Sequence, residues 1–83
     1  MNLLVRVHKL GDTMIRDAVR STSISSVGYQ AADSTLEIEF TSGAVYRYSR
    51  VPMHVYESLL AAESHGQFFH THIKGVFAYV RVS

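Results

Sequence analysis

Leu36-Glu37-Ile38-Glu39-Phe40-Thr41-Ser42-Gly43-Ala44-Val45-Tyr46-Arg47-Tyr48 is the stretch on which the fold turns. Leu36, Ile38 and Phe40 alternate strictly with Glu37 and Glu39, so the apolar residues share one face of a strand and the glutamates are expected to face water. Thr41-Ser42-Gly43 follows as a turn. A three-residue loop that ends in a left-handed glycine makes a type I turn with a G1 bulge. Phe40 then lies opposite Ala44, Ile38 opposite Tyr46, and Leu36 opposite Tyr48. A two-residue Ser42-Gly43 loop would put the tyrosines beside the glutamates instead. Such loops favour positive φ at their first or both central residues, which suits Ser42 poorly. The longer loop is therefore expected, with Tyr46 and Tyr48 mainly in the core and their hydroxyls at its rim.

Working outward, Ile24 to Gln30 reads as the preceding strand, with Gly28 a bulge or a point of close backbone approach. Ala31 to Ser34 is its turn. Pro52 suits the first position of a helix, where its missing N–H is not needed. That helix runs to about Ala62, with Val55, Leu59 and Ala62 in one stripe and Tyr56 and Leu60 beside it. Ser64-His65-Gly66-Gln67 matches a capping box for a second short helix to about Ile73. Gly66 is expected to let the two helices approach closely. Lys74 and Gly75 favour the end of that helix. Val76 to Val82 alternates again, as a last strand or an extended tail. The core is expected from Leu36, Ile38, Phe40, Tyr46, Tyr48, Val55, Leu59 and Phe69. Residues 1–20 read as an N-terminal extension, with a strand over Leu3 to Val7 and a short helix over Thr13 to Arg20 capped by Asp12. Ser21-Thr22-Ser23 reads as a hinge into a domain over residues 21–83. The fold class is α+β: a small antiparallel β-meander of three to four strands with two short helices on one face.

Composition narrows the function. The chain has 83 residues, 47% hydrophobic and 18% charged, which excludes a disordered chain and fits one domain. With no cysteine there is no disulfide, thiol nucleophile or cysteine-ligated metal. No apolar run approaches a membrane span, and Arg6, His8 and Lys9 follow the apolar start too soon for a secretory signal. A cytoplasmic protein with no membrane partner is expected. The net charge of +1 is no polyanion-binding composition by itself. Residues 1–40 hold four basic against five acidic side chains, and residues 41–83 four against two, together with four of the five histidines.

These pieces, in order, resemble the KTSC domain family, found in bacterial and phage proteins and at the C-terminus of some lysyl-tRNA synthetases. The resemblance rests on Ile24-Ser25-Ser26-Val27-Gly28-Tyr29, Leu36-Glu37-Ile38-Glu39-Phe40, Gly43 and Tyr46-Arg47-Tyr48. It continues through Val51-Pro52-Met53-His54-Val55-Tyr56, Leu59, Ser64-His65-Gly66-Gln67-Phe68-Phe69 and Ile73. Position 70 is His where the family pattern has Asn. The resemblance implies the fold and carries a suggestion of RNA binding, without a reaction.

No nucleophile elbow, phosphate-cradling glycine run or zinc-ligand spacing is present. His70 and His72 diverge on a helix, so neither a metal nor a cofactor is expected. The expected function is a small non-enzymatic module that binds RNA or another single strand through Arg50, His54, His70 and Lys74, with Arg47 as a weaker candidate. Aromatic rings beside cations are how single strands are commonly held. Arg47 is also read as part of a cross-strand salt-bridge lattice with Glu37 and Glu39 nearby. Tyr46, Tyr48, Pro52, Ser64, Gly66 and Phe69 are read as structural, although the amides after Ser64 also suit an anion. Two other readings remain: a protein-interaction or homo-oligomerisation module, such as a dimer joined at a sheet edge, and a phage or defence-related binder of a small nucleotide-like ligand.

Overall fold

The computed structural model describes residues 14–83. Five strands form one antiparallel sheet in strict sequence order: β1 (Asp17–Ala18), β2 (Ile24–Gln30), β3 (Thr35–Phe40), β4 (Val45–Tyr48) and β5 (Tyr79–Arg81). Helices α1 (Met53–Ala61) and α2 (His65–His72) lie in the chain between β4 and β5. The α+β meander is as expected, and its strand count is higher because short strands add at both edges. β1 corrects the expectation of a helix over Thr13 to Arg20, since Asp17 and Ala18 pair with Val27 and Ser26. The expected Leu3–Val7 strand and the Asp12 cap lie outside the described residues. Ser21 to Ser23 is tied down and is no hinge. The Ser21 Oγ accepts from the N–H groups of Ser23 and Ile24 at 3.2 Å each, and the Ser23 carbonyl accepts from Thr41 N–H at 2.9 Å.

The turn after β3 has the expected register. Leu36 pairs with Tyr48 and Ile38 with Tyr46. Phe40 N–H donates to Ala44 O and Gly43 N–H to Phe40 O, both at 2.9 Å, with Gly43 at φ 97°. A left-handed φ favours glycine because it has no Cβ to clash. The two aromatic side chains of β4 therefore join the aliphatic face.

That face packs under the helices. Ile24, Val27, Leu36, Ile38, Tyr48, Val51, Leu59, Phe69 and Ile73 form the buried cluster. Phe40, Tyr46 and Val55, expected in the core, are only half-buried around it. Tyr29 fixes the corner where the sheet meets α1: its ring stacks on Tyr56 at 4.9 Å, and its hydroxyl donates to Val51 O at 2.5 Å. Pro52 is the N-cap of α1 rather than its first helical residue; its extended ψ of 147° places it just outside the helix. Ser64 caps α2 as expected, accepting from Gln67 N–H at 3.2 Å. The expectation for Gly66 needs a new partner. A Cβ there would collide with the Ser23 hydroxyl, so the close approach is to the segment before β2, not to α1.

The opposite face corrects the reading of Glu37. Its side chain is only 2% exposed, held between Arg16 and the Arg47 Nε at 2.6 Å. Arg16 Nε also donates to Ser26 Oγ, and Ser26 Oγ to Glu39 Oε1, each at 2.9 Å. Two guanidiniums, one of them steadied by Ser26, let a carboxylate leave water. Gly28 makes this possible: a Cβ would lie 2.5 Å from Ile15 O, so only glycine lets the segment carrying Arg16 run this close to β2.

Candidate nucleic-acid interface

Where β4, β5, the β3–β4 turn and α2 meet, they enclose an open cleft of about 480 Å³. Tyr46, Tyr48 and Tyr79 form one wall, and Phe40 and Phe69 the floor. His70 and Lys74 line it from α2 and its end, and the hydroxyl-bearing Ser23, Thr41 and Ser42 complete the lining. Among the described residues no carboxylate lines it.

Each wall follows from local chemistry. The three-residue turn sends Tyr46 and Tyr48 into the cleft. β5 then adds Tyr79 beside them: Tyr79 pairs with Tyr48 and stacks on Tyr46 with ring centroids 5.1 Å apart. Tyr48 and Tyr79 are 5.6 Å apart. Phe69 meets Phe40 and Tyr48 edge-on at 5.1 and 5.8 Å, anchoring α2 and so placing His70 at the rim. Burial pushes the Tyr48 phenol up to about 12, with the neighbouring Tyr46 and Tyr79 adding to the effect. It stays neutral at physiological pH.

The structure divides the expected binding residues. His70 and Lys74 share the cleft, both exposed. Arg50 and His54 are exposed at the β4–α1 corner and do not line it. Arg50 has a left-handed φ of 57°. Arg47 belongs to the other face, paired with Glu37. His65 donates from Nδ1 to Leu59 O at 2.7 Å, since a carbonyl can only accept; it closes the end of α1. His72 packs on Phe68 at 4.5 Å. Among the described residues no three His, Cys, Asp or Glu side chains converge on a metal position, and no helix is long and apolar enough to cross a membrane. Tyr79 is the residue the sequence reading missed. Val76 to Val82 alternates, but nothing in that run says that β5 pairs with β4 and puts Tyr79 next to Tyr46.

A meander with two helices on one face and an open aromatic cleft at their junction defines a small α+β domain. The chain belongs to the KTSC domain family, whose profile matches residues 20–77. A crystal structure of a KTSC domain protein from Yersinia pestis superposes with a TM-score of 0.81 at 35% identity, covering 83% of this chain and 97% of that one. A protein of Stutzerimonas stutzeri is 48% identical over 56 residues, 68% of this chain and 79% of its own length. A lysine–tRNA ligase of Trichormus variabilis is 47% identical over 60 residues, 72% of this chain but only 11% of the ligase.

Proposed function

We propose that this protein is a non-enzymatic module that binds single-stranded nucleic acid, RNA in particular, through the cleft between β4, β5 and α2. The observation that carries the reading is the lining itself: aromatic rings, a lysine and a histidine, hydroxyls, and, among the described residues, no carboxylate. Rings accept bases of any identity and cations accept phosphates, which is the common chemistry of single-strand binding. The occurrence of a similar segment in proteins named lysine–tRNA ligase supports an RNA partner. The test is a titration with an RNA oligonucleotide over roughly 50 to 200 mM salt. Affinity falls steeply with salt, and Lys74→Glu weakens it without lowering the melting temperature. Binding indifferent to salt, or to Lys74→Glu, refutes the reading.

A second reading is self-association at the open edge of β5. It draws on Val76, Tyr79, Val80 and Val82, which are 43–61% exposed beside an edge strand. Sedimentation across a concentration series separates it from the first.

A further inference from the structure

Resting on that reading, we infer that the cleft holds a single unpaired nucleotide, its base stacked on the outer face of Tyr79 and its phosphate held by Lys74 and His70. The three tyrosines are not equivalent. Tyr48 is 3% exposed and enclosed by Tyr46, Tyr79 and Phe69, so it has no face to offer. Tyr46 lies between Tyr48 at 6.3 Å and Tyr79 at 5.1 Å, with Phe40 edge-on at 5.7 Å. Tyr79 alone of the three is largely exposed, at 56%, while its inner side rests on the other two. A ring backed by two others and open in front keeps one face free for stacking.

The cations lie across the same cleft, on α2 and just after it. Because Tyr79, Lys74 and His70 line one cleft, a base at Tyr79 has both cations within the same cavity for its phosphate. The cleft volume of about 480 Å³ suits one nucleotide and not a base pair with both backbones. Duplex bases are already stacked on both faces and cannot reach Tyr79. The site therefore selects unpaired nucleotides by access, and leaves base identity open because stacking is sequence-tolerant.

The chain has five tyrosines and no tryptophan, so tyrosine emission reports stacking directly. The full chain is titrated with single-stranded oligouridylate, uridine 5′-monophosphate, inorganic phosphate and a fully paired RNA hairpin stem. The single strand is expected to quench tyrosine emission and bind most tightly, and the mononucleotide to compete with it. Tyr79→Ala should weaken strand binding about 5- to 100-fold, and Tyr79→Phe should restore it. Tyr79→Ala is checked for a native circular dichroism spectrum; if it unfolds, Tyr79→Leu, which keeps apolar cover and removes the π-face, takes its place. Strand binding that survives the loss of the Tyr79 ring but fails in Lys74→Glu overturns the stacking inference and leaves the broader reading intact. Equal affinity for the stem, or full competition by phosphate, also overturns it. No binding of any strand refutes both.

Discussion

Gly28→Ala tests how the helix-free face is held. The new methyl would sit 2.5 Å from Ile15 O, 3.0 Å from Arg16 Cγ and 3.4 Å from Arg16 Cα. Two of these neighbours are backbone, so no rotamer change relieves the overlap and the segment before β1 must move out. Overpacking of this kind costs about 1–3 kcal/mol. The movement also draws Arg16 from Glu37 and Ser26, and a hydrogen bond to a charged group is worth about 1.5–3 kcal/mol. The lost flexibility of the unfolded chain returns about 0.4–1 kcal/mol. The net expectation is a loss of about 1.5–5.5 kcal/mol, a large part of the roughly 4–12 kcal/mol such a domain has. Urea denaturation of the wild type, Gly28→Ala, Arg16→Ala and the double variant measures it. Once Arg16 is already gone, Gly28→Ala should cost only its packing share, so the two changes fall short of additive by more than 1 kcal/mol. Strict additivity, or a cost for Gly28→Ala below about 0.5 kcal/mol, would refute the claim that glycine is there to seat Arg16.

Two further outcomes are expected on the same fold. Glu37→Gln removes the buried charge that Arg16 and Arg47 share, with Glu39 remaining 3.9 Å from Arg16, and should destabilise by about 3–5 kcal/mol, read from the urea midpoint; a neutral result would show that Glu37 is not the hub of that face. Tyr48, whose phenol is raised to about 12, makes stability fall with alkali. The unfolded chain releases this proton near pH 10 and the folded one only near pH 12. The folded state therefore binds more protons across that window, and stability is full below pH 10 and declines by roughly 1–3 kcal/mol as pH rises to about 12. Tyr48→Phe should flatten that part of the profile, measured by urea midpoints in a buffer series.

Local rules carried the central hairpin. A type I turn with a G1 bulge has one register, and that register decides which side Tyr46 and Tyr48 take. Ser64 was legible for a similar reason, because its hydroxyl satisfies an amide only three residues away. Glu37 was not, since its alternation with Leu36 and Ile38 is the ordinary mark of a solvent-facing residue. Its burial depends on Arg16, 21 positions earlier, in a segment whose apolar spacing imitates a helix. Ile24, Val51 and Ile73 lie fully buried at element ends, where periodicity has little to say. Half of the candidate site could be read in advance: His70 and Lys74 sit together because α2 and its end place them so. Tyr79 could not, because its role comes from pairing across two intervening helices.

The buried cluster contains no residue of β5, and all three β5 residues are exposed. Closing the last strand thus adds hydrogen bonds along β4 and lays Tyr79 against Tyr46 and Tyr48, and opening it uncovers those two rings while the aliphatic part of the cluster stays packed. Such a strand can detach at a free energy well below that of global unfolding, as marginal elements do. Among the backbone bonds that hold this edge, Ser49 N–H to Ala78 O and Val82 N–H to Val45 O flank the position of Tyr79. The outer tyrosine is therefore mounted on a hinged panel whose swing leaves the frame standing. Amide exchange along this edge should be faster than in β2 and β3, and a ligand lodged against Tyr79 would slow it.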